Sequence, residues 1–331
     1  MTAVREASSR RDLVARRAPT AGVVMIAAGA SLWGLDAVLR KPLTDIWSSW
    51  TIVLYEHVLL TLAVAPILWL NRERIRRLSP MGWASALVVA WGGSALATLL
   101  FTEAFALAFS NPDVVILLQK TQPLWAIGAA ALVLGERPRA ELWLLLVPAV
   151  IGTYLLSFGW MAPGDAFTGG QARPALYALG AAALWGAATA FGRRGLREMT
   201  PDTLMALRFS LALPFLAVIA APKGALTPGG GADAADWLRL PLLALGSGLI
   251  AMVLYYRGLR TTPAPVATIA ELAFPATALV VNYIWLDATI QGWQWVGFVM
   301  LWATIAAIHR VPVLVPRGRE VAVPPPLPSG A

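Results

Sequence analysis

The chain has 331 residues, 58% of them hydrophobic and only 13% charged, with a mean hydropathy of +0.66. A soluble domain carries about a quarter of its residues as charges, so this composition excludes an ordinary soluble fold and points to a membrane protein. The formal charge of +8 is not a nucleic-acid signature, because most basic residues sit in short connections between apolar runs, and the absence of Cys excludes disulfides, thiolate catalysis and Cys-ligated metal.

A hydrocarbon core of about 30 Å is crossed by roughly 20 helical residues. Apolar runs of that length are expected at 21–40, 50–70, 81–109, 112–134, 141–159, 174–193, 202–221, 237–257, 264–286 and 292–309, ten spans in all. None alternates with period two, and lipid leaves backbone groups to be satisfied internally, so the fold class expected is all-α with ten transmembrane helices. Residues 1–20 read as a cytoplasmic arginine-rich segment, 160–173 as an external linker, and 310–331 as a Pro-rich disordered cytoplasmic tail.

The Lys and Arg count tests the segmentation. One side of the alternation collects 19 of the 26 basic residues, among them Arg5, Arg72, Arg137, Arg193, Arg257 and Arg310. The other side holds five: Arg40, Lys41, Arg173, Lys223 and Arg239. By the positive-inside rule, both termini are expected in the cytoplasm of a cell that carries the chain in its inner (plasma) membrane.

The two halves resemble each other. "SLWG" at 31–34 returns as "ALWG" at 183–186, an offset of 152 that also pairs Leu107 with Leu259, Val114 with Val266, Pro123 with Pro275 and Trp143 with Trp295. A duplicated unit follows, 21–159 and 174–309, five helices each. An odd number of spans sends the second unit into the bilayer from the opposite face. Two inverted five-helix repeats are therefore expected, with a small-molecule site near midplane between them.

These features, together with "LVLGERP" at 132–138, resemble the drug/metabolite transporter superfamily in its ten-helix EamA-type branch, over about residues 21–309. The second copy departs from the motif, reading "IWLDAT" at 284–289 where the first has Gly-Glu. The resemblance implies export of amino acids or other metabolites, and one subgroup is similar to exporters of aromatic amino acids.

The candidate site lies around the repeated prolines. Pro123 and Pro275 are expected to kink their helices and to free the carbonyls of Gln119 and Glu271 four residues back. Lys120 and Glu271 then sit roughly 10–12 Å inside the bilayer at 1.5 Å per residue, where a charge costs on the order of 3 kcal/mol or more and normally faces a cavity or a partner. Two arrangements are open: a zwitterion clamp, in which Lys120 takes a carboxylate and Glu271 an amine, or a direct Lys120–Glu271 salt bridge. Trp33, Trp185, Phe101, Tyr255 and Phe274 offer stacking and cation–π faces, and Glu103 and Asp36 are cavity-lining candidates.

Glu56 and Arg208 are repeat equivalents and are expected to pair across the repeat axis, and His57 is a candidate proton acceptor. Trp47, Trp50 and Trp237, near span ends, read as interfacial belt residues. No HExxH, Walker-type or G-x-S-x-G motif occurs, and two His cannot build a multi-His metal site, so no cofactor, metal or catalytic residue is assigned. The function expected is secondary transport of amino acids, or efflux of cationic drug-like metabolites by proton antiport. A channel or sensor is the alternative of another class, with a membrane lipid enzyme behind it. The partners expected are a small-molecule substrate and the lipid bilayer, with no nucleic acid; the oligomeric state is open, a monomer included.

Overall fold

A computed structural model of the chain describes residues 20–107, 115, 118–136, 140–158, 160, 172–228, 230–285 and 290–308. The expected N-terminal segment, most of the 160–173 linker and the C-terminal tail lie outside the described residues. All regular structure among the described residues is helical. Seven helices are long and apolar enough to cross a membrane, and Gln122–Val133 and Ala140–Leu156 are shorter apolar helices. Only 33–61% of each long hydrophobic window is buried inside the protein. Large apolar side chains on long and short helices alike, including Leu70, Leu132, Leu144 and Val218, face outward and need an apolar solvent.

Several helix starts are written in side chains. Ser48, Ser79 and Thr200 accept bonds from the amides of Thr51, Gly82 and Thr203 at 3.0–3.2 Å, which satisfies donors left open by the first turn. Pro80 and Pro201 occupy the first helical position, where a missing N–H costs nothing. Asp233 and Asp236 close a reciprocal capping box at the start of Ala234–Leu243.

Packing exchanges partners between the halves. Thr20–Gly34 lies on Ala251–Thr261 and Ala273–Trp285, while Ala172–Gly195 lies on Ala97–Leu107 and Gln122–Val133. The two "LWG" glycines show why. A Cβ on Gly34 would stand 3.0 Å from the Phe274 carbonyl and 2.8 Å from the Thr277 side chain; one on Gly186 would stand 2.9 Å from the Gln122 carbonyl and 2.8 Å from the Trp125 side chain. These contacts are related by the same offset of 152, so each glycine allows its helix to approach the fourth helix of the opposite half closely.

Ser49–Arg76 packs against Pro201–Ala220. The two run antiparallel: the Tyr55 hydroxyl donates to the Leu226 carbonyl at 3.1 Å, and at the far end Arg74 and Thr203 line one cavity. Both third helices contain a π-helical stretch, Val88–Leu96 and Ala244–Ile250, overlapping at the repeat offset. Such widened turns misalign the ladder and redirect side chains and carbonyls, often at functional positions.

Candidate functional site

The fourth helix of each half is interrupted. The chain turns at Lys120–Thr121 before Gln122–Val133 and at Glu271–Leu272 before Ala273–Trp285. This corrects the kink expectation. Pro123 and Pro275 lie in the first turns of new helices rather than in the middle of bent ones, and the Glu271 carbonyl is not left free, because it accepts the Phe274 amide at 3.0 Å.

The side chains at the two breaks meet. Gln119, 7% exposed, donates to the side-chain carbonyl of Gln122 at 3.0 Å, and Gln122, 8% exposed, donates to Glu271 Oε2 at 2.7 Å. The Tyr255 hydroxyl donates to Glu271 Oε1 at 2.9 Å and lies 2.9 Å from Thr189 Oγ1. Lys120 extends its ammonium 4.2 Å above the Phe274 ring. Among the described residues no ion pair joins Lys120 to Glu271, so the salt bridge of the sequence reading does not form here; a cation–π contact and two neutral hydrogen-bond donors serve the two charges instead.

Aromatic faces border this polar row. Trp33 lies 5.5 Å from Tyr255, and Phe101 is edge-on to Trp185 at 5.3 Å. Trp185 is fixed by its indole N–H, which donates to the Gly93 carbonyl in the first π-helical stretch at 2.8 Å. Lys120, Glu271, Gln119, Tyr255, Phe274 and Trp33 thus share one cluster, and Trp185 and Phe101 adjoin it through Thr189, whose hydroxyl donates to the Trp185 carbonyl at 3.1 Å. Gln122 and Thr189 were not singled out from the sequence. Gln122 had a usable signal, since it is the repeat equivalent of Phe274.

Other expectations need correction. Glu56 does not pair with Arg208: Arg40 reaches Glu56 at 3.0 Å and also binds Asp36, which accepts from Ser247 of the second π-helical stretch at 2.8 Å. Arg208 instead donates to Ser94 and Tyr256. Asp36 is thereby held in an ion-pair network, and Glu103 pairs with Lys223 at 3.1 Å, the ammonium also lying over Trp50. His57 is buried, its Nδ1 2.9 Å from the Val53 carbonyl and its ring edge-on to Phe209. Trp47 is no belt residue: it is 3% exposed and packs edge-on against Trp237 at 4.9 Å.

The "LGERP" motif has a structural use. Gly135 adopts φ +67°, a backbone conformation that costs a side chain dearly, and the following Glu136 accepts from Arg193 at 2.7 Å and from the Ala264 amide at 3.1 Å. Arg193 in turn donates to the Leu259 carbonyl at 2.9 Å. One carboxylate therefore ties the ends of helices from both halves.

A profile of the EamA-like transporter family matches residues 20–158 and again 172–310, which together span most of the chain and coincide with the duplicated units. The chain belongs to the EamA-like transporter family. It is a multi-pass membrane protein and, by family, a transporter of small metabolites. The riboflavin transporter ImpX of Fusobacterium nucleatum is 35% identical over 272 residues, covering 80% of this chain and 89% of that protein. A solved crystal structure matches with a TM-score of 0.69 at 18% identity, over 88% of this chain and 98% of the other, and so shares the fold.

Proposed function

We propose that this family member is an alternating-access secondary transporter of flat, ring-bearing metabolites, with a flavin as the reference substrate. The observation that carries this reading is the juxtaposition at the two helix breaks of aromatic faces with neutral amide groups. Trp33, Tyr255 and Phe274 offer stacking surface, and Gln119 and Gln122, bonded to each other in this state, carry amide donors and acceptors that would re-pair with the uracil-like edge of an isoalloxazine. The similarity to a riboflavin transporter over most of both chains supports the same class. The exchanged packing of the halves and the antiparallel run of 49–76 against 201–220 support an inverted pair, in which rocking of one half against the other opens the site alternately to either face. The basic-residue bias supports cytoplasmic termini and an inner-membrane location.

A second reading, transport of amino acids, is favoured by one observation: Lys120 and Glu271 stand at the two breaks, one in each half, without pairing, as the two ends of a zwitterion would need. Uptake into proteoliposomes separates the two. Under the flavin reading, riboflavin enters and unlabelled Phe, Tyr and Trp fail to compete. Under the amino-acid reading, labelled Phe or Trp enters, and Lys120→Met combined with Glu271→Gln abolishes that flux. Riboflavin exclusion by the wild-type protein would sink the first reading.

A further inference from the structure

Arg208 is the eighth residue of Pro201–Ala220, about 10 Å along the helix from its start at 1.5 Å per residue. Its Nε donates to Ser94 Oγ at 2.5 Å and its Nη1 to the Tyr256 hydroxyl at 3.0 Å. Both partners are neutral, and among the described residues no carboxylate pairs with this guanidinium. Its repeat equivalent Glu56 does have a counter-charge, in Arg40. A guanidinium inside a spanning helix is costly unless an anion answers it, and its rigid fork of five donors suits two-point capture of a carboxylate or phosphate better than it suits two single hydroxyls.

Position links this group to the site. Tyr256 is edge-on to Tyr255 at 5.4 Å, and Tyr255 binds Glu271. Arg208 therefore stands one side chain beyond the aromatic and amide row, on a helix packed against the first π-helical stretch, which supplies both Ser94 and the Gly93 carbonyl that fixes Trp185.

We propose that Arg208, oriented by Ser94 and Tyr256, receives an anionic group carried by the cargo, a phosphate or a carboxylate, so that the protein prefers an anionic ring-bearing metabolite to its neutral counterpart. The inference rests on the flavin reading and deepens it. The probes are riboflavin and riboflavin 5′-phosphate, which differ by one phosphate, measured as initial rates into proteoliposomes holding the full-length protein. The ratio of ester to riboflavin flux falls at least tenfold in Arg208→Gln. It falls less in Arg208→Lys, which keeps the charge and loses the fork, and in Tyr256→Phe, which keeps the ring and loses the hydroxyl; these two hold the test open if the Gln variant does not fold.

An unchanged ratio in folded variants overturns the inference and leaves the flavin reading standing. Stimulation of riboflavin flux by inorganic phosphate in the wild type but not in Arg208→Gln assigns the anion to a free ion, which overturns the assignment to the cargo. Wild-type protein that moves neither flavin overturns the flavin reading and this inference with it.

Discussion

Gly34 and Gly186 illustrate how a single residue decides whether two helices can meet. Each stands where a methyl group would lie 2.7–3.0 Å from backbone atoms of the facing helix, so the contact tolerates hydrogen and nothing larger without a backbone shift. Gly128, in Gln122–Val133, has open space where its Cβ would be. Gly186→Ala is therefore expected to destabilise the protein by about 1–3 kcal/mol through overpacking, whereas Gly128→Ala is neutral or stabilising by up to about 1 kcal/mol through reduced backbone entropy. Thermal unfolding of the two variants in detergent checks this, and equal shifts in both would refute the close-approach account. Glu271 makes the complementary point about polar residues. Its carboxylate is satisfied by an amide and a phenol rather than by a cation, so its partners hold it in place while leaving the Lys120 charge to an aromatic ring.

Between elements, carboxylates act as ties. Glu198 accepts from the Ser79 hydroxyl at 3.0 Å, from the Ser79 amide at 3.2 Å and from Arg194 at 2.9 Å, joining the start of Pro80–Leu87 to the end of Ala172–Gly195. The Ser79 hydroxyl foremost, then the Ser79 amide and Arg194, hold this carboxyl below its ordinary value of 4.5. A carboxyl depressed in the folded state adds stability that is complete above 4.5 and is lost as the pH falls through the lower, folded value. The tie is exposed, so its contribution is small, and the test is a difference. On acidification below pH 4.5 the wild type is expected to lose thermal stability more steeply than Glu198→Gln, and parallel curves would remove Glu198 from the account. Composition, apolar run length and the 152-residue offset made the membrane class, the duplication and the locations of the two breaks legible in the sequence. The partners of Glu56 and Glu103 were not legible, for a physical reason: a repeat offset identifies equivalent positions, and equivalents related by an axis touch only if they lie close to it. Glu56 lies nearer to Arg40, sixteen residues away around a hairpin, than to its equivalent Arg208. Trp47 failed similarly, because nearness to a span end says nothing about which neighbour covers the ring.

At the scale of the whole molecule, the decisive relation is the direction in which the two halves cross the bilayer. Arg74, near the end of Ser49–Arg76, and Leu226, just past the end of Pro201–Ala220, are repeat equivalents, and both are exposed. In a parallel duplication they would emerge on the same face. Here Tyr55, at the start of one helix, bonds the carbonyl of Leu226 beyond the end of the other, which sets the two helices head to tail and carries Arg74 to the opposite end of the bundle. Under the proposed topology the basic-residue bias predicts Arg74 in the cytoplasm and Leu226 outside. Because the chain contains no Cys, Arg74→Cys and Leu226→Cys each provide a label site without background. A membrane-impermeant maleimide applied to intact cells should modify the cysteine at 226 and spare that at 74, with the pattern reversed in inside-out vesicles. Modification of both from one side would mean that the halves run parallel, and a site assembled from two facing helix breaks would then lose its geometric basis.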